Sequence, residues 1–228
     1  MAERTPAYAA ATVRVLRIVL HFAKDEGYQV ADLARMRLHV AGGKGEPWED
    51  WEISAYLDEA RRRGRQSMAL ALMLGVCLGQ REGDVLRLGR SAYDPVTGTV
   101  TLRQSKTGRA LAVPVLPELE REIAVTPARG TIFVVSEKSG KPYKARYFAR
   151  IHREICQGAG IPDSRWFMHL RHTAATRLGE AGCSDELIRA VTGHKSRGVV
   201  ARYVRPTDTM ARAAIAKLQD HRGKRTGE

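Results

Sequence analysis

Hydrophobic residues recur at helical spacing near the N-terminus, in residues 12–24 (TVRVLRIVLHFAK). Valine, leucine and alanine side chains return every three or four positions, with arginine and lysine on the other face, which predicts an amphipathic helix. Gly27 predicts the end of this helix, because glycine is common just after a last helical turn. Residues 39–47 (HVAGGKGEP) are rich in glycine and end in proline, so they favour a linker.

The next two patterns predict a pair of helices. Residues 48–64 (WEDWEISAYLDEARRRG) bring four apolar side chains to one helical face, namely Ile53, Tyr56, Leu57 and Ala60. The stretch from residue 68 to residue 78 is apolar nearly all round. We expect this stretch to be a buried central helix, because a helix without a polar face has no side to turn toward water.

After Leu88 the period of the hydrophobic pattern changes to two. Residues 99–104 (TVTLRQ) and 110–115 (ALAVPV) alternate and are rich in β-branched side chains, and SKTGR between them predicts a turn. The two segments therefore predict a β-hairpin. A third short strand is expected at about residues 87–92, closed off by the turn AYDPVTG.

From Pro142 onward the pattern is helical again. Ser184 is an expected N-cap and Gly193 an expected C-terminal stop. The helices are expected at about residues 144–158, 169–181, 185–192, 197–204 and 208–219. The whole pattern predicts an α+β protein that is mostly helical and has a small three-stranded antiparallel sheet.

Charge narrows the choice of partner. Among 228 residues, 38 lysines and arginines oppose 25 aspartates and glutamates, which gives a formal charge of +13. Such an excess indicates a polyanionic partner: DNA, RNA or an anionic membrane surface. The longest apolar run, residues 68–79, is shorter than the roughly 20 residues that a bilayer-spanning helix needs. The first ten residues contain no apolar signal core.

The three cysteines, Cys77, Cys156 and Cys183, lie far apart without paired spacing. Neither a disulfide framework nor a zinc site is indicated, so we expect reduced thiols in a cytoplasmic protein. No acidic cluster suited to Mg²⁺ is evident, and we expect no metal or cofactor.

Metal-free DNA cleavage needs a nucleophile, cations for the non-bridging phosphate oxygens and an acid for the leaving oxygen. Two segments offer such residues near the predicted hairpin. GQREGDVLRL places Arg81 where the buried helix ends, with Asp84 three residues later, and RQSKTGRALAVPV places Lys106 in the hairpin turn. Taken singly, each has an ordinary interpretation: a surface arginine paired with an aspartate, and a solvated turn lysine.

Two further segments lie in the C-terminal half. FMHLRHTAATRL places Arg171 near the start of a helix, where backbone N–H groups and the guanidinium would together favour an anion, and His169 and His172 flank it. TGHKSRGVVARYV places Tyr203 nine residues after His194. The alternatives are a helix start with polar surface residues, and an ordinary half-buried tyrosine.

Together, the order and spacing of the four segments resemble the tyrosine recombinase (phage integrase) family over about residues 48–219. The segment AKDEGYQVADLARM also looks like the end of that family's N-terminal core-binding domain. The resemblance implies a partial helical core-binding segment at 1–38, a linker at 39–47 and a catalytic domain at 48–219. Residues 220–228 are expected to form a disordered basic tail.

The resemblance also implies roles for the residues. Tyr203 would attack the scissile phosphate and leave a 3′-phosphotyrosine with a free 5′-hydroxyl. Arg81, Arg171 and His194 would hold the non-bridging oxygens, and Lys106 would protonate the departing oxygen. Asp84 would support the first arginine. The implied function is site-specific DNA recombination, by integration or excision, on double-stranded DNA. The expected assembly is a homotetramer on DNA, in the cytoplasm with the nucleoid.

Two departures from the family pattern leave an alternative open. The family usually has histidine three residues before the second arginine, and here that residue is Met168, which cannot transfer a proton. His169 is one place late and would point about 100° away on a helix. The N-terminal region is also short. These features favour, as an alternative, a decayed integrase that binds DNA without cleaving it. An RNA-binding protein is a more distant alternative, because no stacking platform is evident.

Overall fold

The computed structural model describes residues 6–30 and 45–194, together with four helical positions near the C-terminus, Arg212, Ile215, Ala216 and Gln219. The chain divides into two compact units, residues 1–44 and 45–228. The helix predicted at 197–204 and the expected tail lie outside the described residues. The helix predicted at 208–219 is described only at those four positions.

In the first unit, helix α1 spans Pro6–Asp25, which confirms the predicted helix and extends it toward the N-terminus. Gly27 ends it as predicted, with a left-handed φ of 87°. The N–H of Tyr28 donates to the carbonyl of Ala23 over 3.0 Å, which closes the last turn.

The second unit is mostly helical and has one small sheet, as the sequence predicts. Its helices are α2 (Asp50–Arg62), α3 (Gln66–Leu78), α4 (Glu82–Val85), α5 (Pro117–Val125), α6 (Ala145–Gly158), α7 (Leu170–Glu180) and α8 (Asp185–Thr192). Its strands are β1 (Tyr93–Asp94), β2 (Thr99–Arg103) and β3 (Ala110–Pro114). Short 3₁₀ turns lie at Arg90–Ala92 and Phe167–His169.

Helix α3 lies at the centre of the second unit, and α2, α5 and α7 pack against it. Nearly all of its side chains are buried, as its uniformly apolar sequence predicts. Gly75 lets α7 approach closely, because a Cβ at this position would lie 2.8 Å from Cδ1 of Leu170. Leu170 is therefore fixed against α3 at the start of α7, one residue before Arg171.

The three strands form an antiparallel sheet in the order β1-β2-β3. The predicted hairpin is confirmed, with Val100 paired to Val113 and Leu102 paired to Leu111. These four side chains are buried. The alternation places Gln104, which follows β2, on the same inward side, and its side chain is fully buried.

The prediction of the third strand at 87–92 is wrong. Strand β1 lies at Tyr93–Asp94, inside the segment predicted as a turn, and residues 90–92 form a 3₁₀ turn. The preceding segment pairs elsewhere, because Arg90 N–H donates to the carbonyl of Thr131 over 2.8 Å and Phe133 N–H donates to that of Leu88 over 3.0 Å. The sequence pattern identifies an extended segment but not its partner, because Gly89 pairs with Ile132, far along the chain.

Helix α5 is absent from the sequence-based prediction. It begins with proline at its first turn, which suits a helix start. Its inward side buries Leu119, and its Glu122 accepts a hydrogen bond of 2.5 Å from Arg61 Nη2 on α2. Tertiary contacts therefore stabilise a helix of only nine residues, which is too short to be stable by itself in water.

No helix within residues 6–30 and 45–194 combines the length and hydropathy that crossing a membrane requires.

Candidate active site

Four separate stretches of the chain meet at one place in the second unit. They are the C-terminal end of α3 with the turn into α4, the β2–β3 turn, the first turn of α7 and the C-terminal end of α8.

Arg171 lies in the first turn of α7 and is 8% exposed. Its Nη1 donates to the carbonyl of Gly79 over 2.9 Å and to that of Thr192 over 2.5 Å. Gly79 ends α3 in the left-handed conformation, with φ 61°, and its carbonyl accepts from this guanidinium. The arginine thus joins the ends of α3 and α8.

His194 follows α8, which begins and ends as the sequence predicts. Ser184 accepts a hydrogen bond from the N–H of Leu187, and Gly193 has φ 70°. The Arg171 Nε–H donates to His194 Nε2 over 3.2 Å. His194 Nδ1 lies 2.7 Å from Thr192 Oγ1.

The hydrogen bonds around His194 define one protonation state. Thr192 donates its hydroxyl proton to the carbonyl of Ile188 over 2.6 Å, so its oxygen accepts from Nδ1–H of His194. Nε2 carries the lone pair that faces Arg171. Burial, then the charges of Arg171 and Arg81, lower the pKa of His194 to about 4. The imidazole is therefore neutral at pH 7.

Arg81 lies at the turn between α3 and α4, and its side chain is 31% exposed. Its Nη1 lies 3.9 Å from Oδ2 of Asp84, which is an ion pair but too long for a hydrogen bond. Both atoms are buried and neither has a hydrogen-bond partner among the described residues. Because this buried guanidinium nitrogen has no acceptor among the described residues, it can donate a hydrogen bond to an incoming anionic oxygen.

Asp84 also fixes the hairpin turn. Its Oδ1 accepts a hydrogen bond of 3.0 Å from the N–H of Ser105, the residue before Lys106. Arg87 forms a second hydrogen bond to this turn, because its Nη2 donates to Ser105 Oγ over 2.9 Å. Lys106 itself is exposed at the tip of the turn. The structure thus links the turn that carries Lys106 to the turn that carries Arg81.

The flanking histidines lie against a different segment. A Cβ on Gly45 would stand 2.2 Å from His169 Nε2, and His169 Nδ1 accepts from the N–H of Trp166 over 3.4 Å. His172 is hydrogen-bonded to the backbone of Gly45. Burial lowers the pKa of both histidines. Met168 is 68% exposed.

Sequence analysis missed two buried glutamines at this place, Gln80 and Gln104. Gln104 Nε2 donates to Gln80 Oε1 over 2.7 Å and to the carbonyl of Thr192 over 2.8 Å. One signal was available: Gln104 continues the inward series of Val100 and Leu102, where a polar residue is unusual. Tyr203 lies outside the described residues. Across the residues with described placement, no group of histidine, cysteine, aspartate and glutamate is arranged to hold a metal ion.

Comparison with known proteins finds relatives over this same region. The model of the phage integrase family matches residues 50–210. The tyrosine recombinase XerC of Rhodospirillum centenum is 32% identical over 162 residues, covering 67% of this chain and 46% of that protein. The virulence plasmid integrase pGP8-D of Chlamydia muridarum is 39% identical over 79 residues, 35% of this chain and 23% of that protein. The chain spans less than half the length of these curated relatives.

Solved structures share the fold. A lambda integrase dimer bound to a COC′ core site superposes with a TM-score of 0.71 at 22% identity, covering 88% of this chain and 59% of that one. The Tn1549 transposon integrase, in complex with a circular intermediate DNA, has a TM-score of 0.76 at 14% identity, covering 94% and 80%.

Proposed function

Because the chain belongs to the phage integrase family, we propose that it cleaves and rejoins DNA at specific sites through a 3′-phosphotyrosine formed on Tyr203. The observation that carries the proposal is the buried pair of Arg171 and His194, set beside the turn that holds Arg81. Nonspecific attraction between a basic surface and DNA would not need such burial. A guanidinium held in a buried, fixed position suits the charge that develops on a phosphate in the transition state.

In the proposed reaction, the phenolic oxygen of Tyr203 attacks the scissile phosphorus and its proton passes to water. The bond from phosphorus to the 5′-oxygen breaks, and Lys106 gives that oxygen a proton. Arg81 and Arg171 bind the non-bridging oxygens, and His194 joins them once a proton is added at Nε2, the nitrogen that accepts from Arg171 in the free protein. The arginine fork matches the spacing of two phosphate oxygens, which a lysine cannot do. Religation reverses these steps and needs no added energy source, because the phosphotyrosine keeps the bond energy.

The proposed partner is double-stranded DNA, which agrees with the formal charge of +13. A solved lambda integrase is a tetramer bound to a Holliday junction. We extend this to the present chain as a homotetramer on DNA, located in the cytoplasm with the nucleoid. Residues 1–38 would then contribute a partial core-binding segment, 39–47 a linker and 48–219 the catalytic domain, followed by a basic tail at 220–228.

The proposal also concerns the rate of DNA cleavage. Met168 stands where the family usually has histidine, and His169 contacts Gly45 and Trp166. We therefore propose that the site works with one phosphate contact fewer than is usual in the family. Among the residues that the structure describes, no contact at the site favours the alternative of a non-cleaving, DNA-binding protein.

A suicide DNA substrate tests the proposed function. The substrate carries DNA from the flanks of the protein's own gene, with a nick beside the scissile phosphate so that the cleaved fragment diffuses away. A denaturing gel then detects the covalent adduct. We expect an adduct with the wild-type chain, in EDTA as well as in Mg²⁺, and none with Tyr203→Phe. An adduct that persists in Tyr203→Phe would overturn the assignment, and DNA binding without any adduct would support the non-cleaving alternative.

A further inference from the structure

A fully buried glutamine joins the parts of the site that lie far apart in sequence. Gln104 Nε2 donates to Gln80 Oε1 over 2.7 Å and to the Thr192 carbonyl over 2.8 Å. Its Oε1 accepts a hydrogen bond of 2.8 Å from Thr107 Oγ1. Both amide hydrogens and the carbonyl oxygen are thus engaged, so the side chain has one defined orientation.

Each partner of Gln104 adjoins a residue of the proposed reaction. Gln80 precedes Arg81, and Thr107 follows Lys106. The Thr192 carbonyl accepts from Gln104 and also from Arg171 Nη1. One amide therefore connects the first arginine, the turn lysine and the second arginine.

The surroundings leave Gln104 no freedom to move. A Cβ on Gly193 would lie 2.6 Å from Gln104 Nε2, so the backbone before His194 passes directly over the amide. Gln80 is itself held, because its Nε2 donates to the carbonyls of Leu78 and Val191 over 2.6 and 3.0 Å. The network spans the ends of α3 and α8 and the hairpin turn without an unsatisfied glutamine atom.

We propose that Gln104 is a positioning residue that holds the turn carrying Lys106 at a fixed distance from the Arg171–His194 pair. Lys106 is exposed and its own side chain is not what anchors the turn. The turn is instead held by Asp84 through Ser105 on one side and by Gln104 through Thr107 on the other. The catalytic consequence rests on the proposed function, in which Lys106 protonates the 5′-oxygen.

A DNA substrate with sulfur in place of the 5′-bridging oxygen distinguishes misplacement of Lys106 from a general loss of structure. A thiolate departs without a proton because the pKa of a thiol, about 8.5, is far below that of an alcohol. Misplacement of Lys106 should therefore slow cleavage of the oxygen substrate and spare the sulfur substrate. Displacing a catalytic group by about 1 Å is enough to slow a reaction by about 10²-fold.

Two variants test whether Gln104 holds the turn that carries Lys106, and a third variant serves as the matched control. Gln104→Met keeps the length of the side chain and removes all three hydrogen bonds, and Thr107→Val removes only the one to the turn. Leu102→Ala weakens the same strand from a buried position that has no part in the network. We expect Gln104→Met and Thr107→Val to slow the oxygen substrate by about 10- to 100-fold, with the sulfur substrate within about threefold of wild type. Leu102→Ala should affect both substrates alike.

Equal slowing of both substrates by Gln104→Met, or no slowing at all, would overturn the positioning role. Amide hydrogen exchange in the free protein gives a readout that does not depend on cleavage. We expect faster exchange at residues 105–109 in Gln104→Met and Thr107→Val but not in Leu102→Ala, and unchanged exchange there would overturn the proposed tie. If the wild-type chain forms no adduct with either substrate, the proposed function fails, and the exchange result still decides whether Gln104 fixes the turn.

Discussion

Arg171 donates from Nε to Nε2 of His194 over 3.2 Å, and this single contact determines which nitrogen of the histidine carries the proton. Nε2 must be an acceptor, so the proton lies on Nδ1, where Thr192 Oγ1 accepts it over 2.7 Å. An arginine and a histidine that share a hydrogen bond in this way form one unit. In the proposed reaction, an arriving phosphate oxygen would replace the histidine as the acceptor of the arginine N–H.

The first prediction concerns this protonation state. Because the pKa of His194 is lowered to about 4, chiefly by burial, we expect a neutral ring with the proton on Nδ1 from pH 7 down to about pH 5. Nitrogen-15 NMR of the imidazole in the free protein measures it directly. Thr192→Val removes the acceptor for Nδ1–H at almost constant volume, and we expect the proton to stay on Nδ1 because Arg171 Nε–H still faces Nε2. A proton on Nε2 in the wild-type chain at pH 7 would contradict the assignment.

The second prediction concerns the geometry of the arginine. Arg171 uses two different nitrogens, Nε toward His194 and Nη1 toward Gly79 and Thr192. A lysine offers one nitrogen and cannot reproduce both directions. We expect Arg171→Lys to slow formation of the covalent adduct by about 10²- to 10⁴-fold while DNA affinity stays within a few fold, because the charge it meets develops in the transition state.

Arg177→Lys is the matched control for that experiment. Arg177 lies on the same helix and forms an exposed ion pair with Asp50. An exposed pair of this kind contributes about 0–1 kcal/mol and has no contact with the site. The cleavage rate of Arg177→Lys should equal that of the wild type. A wild-type cleavage rate in Arg171→Lys would contradict the proposed role of Arg171.

The third prediction concerns stability below neutral pH. His152 is 5% exposed, and its Nδ1 lies 3.1 Å from the hydroxyl of Tyr56. Burial lowers its pKa from 6.5 to about 4. Between these two values the unfolded chain binds more protons than the folded chain, so stability rises with pH across this window. The contribution is complete above pH 6.5 and is lost as the pH falls through about 4.

At about 1.4 kcal/mol per pH unit, His152 should account for roughly 3 kcal/mol of this change. Urea denaturation at pH 7.5 and at pH 4.5 measures it. His194 acts in the same direction, so His152→Gln should reduce the difference between the two pH values without abolishing it. His21→Gln, on the exposed surface of α1, should leave the difference unchanged. A pH difference that survives intact in His152→Gln would show that burial of this histidine is not its cause.

The hairpin illustrates what local pattern predicts well. Alternation over residues 99–115 determines both strands and the turn, because side chains in a strand point alternately to the two faces. The third strand was misplaced because the partner of Gly89 is Ile132, and nothing near residue 89 encodes that distant pairing. Local pattern thus predicts which segments are extended more reliably than it predicts where they pair.

The candidate site also contains residues that the sequence predicts and groups that it does not. Arg81, Arg171 and His194 stand out by residue type and by order along the chain. The groups that orient them do not, because backbone carbonyls such as those of Gly79 and Thr192 carry no signal in the sequence. Their part depends on how α3 and α8 end, which only the packed structure defines.

The last prediction concerns Met168, which we propose stands in place of a histidine that binds the phosphate. Its side chain is 68% exposed, so a substitution there removes little packing. We expect Met168→His to speed formation of the adduct, by up to about 10²-fold where an added imidazole is well placed to move a proton. Single-turnover cleavage at one pH measures it, with the folded fraction checked by circular dichroism.

His169→Ala is the companion variant, because His169 is the other histidine that a shifted backbone would bring to the phosphate. Its ring lies against Gly45 and accepts from the N–H of Trp166, so both sides of the imidazole are engaged within its own neighbourhood. We therefore expect His169→Ala to change the cleavage rate by less than the gain from Met168→His. The opposite pattern, in which His169→Ala abolishes cleavage and Met168→His has no effect, would mean that the histidine has moved by one residue and that the site lacks no phosphate contact.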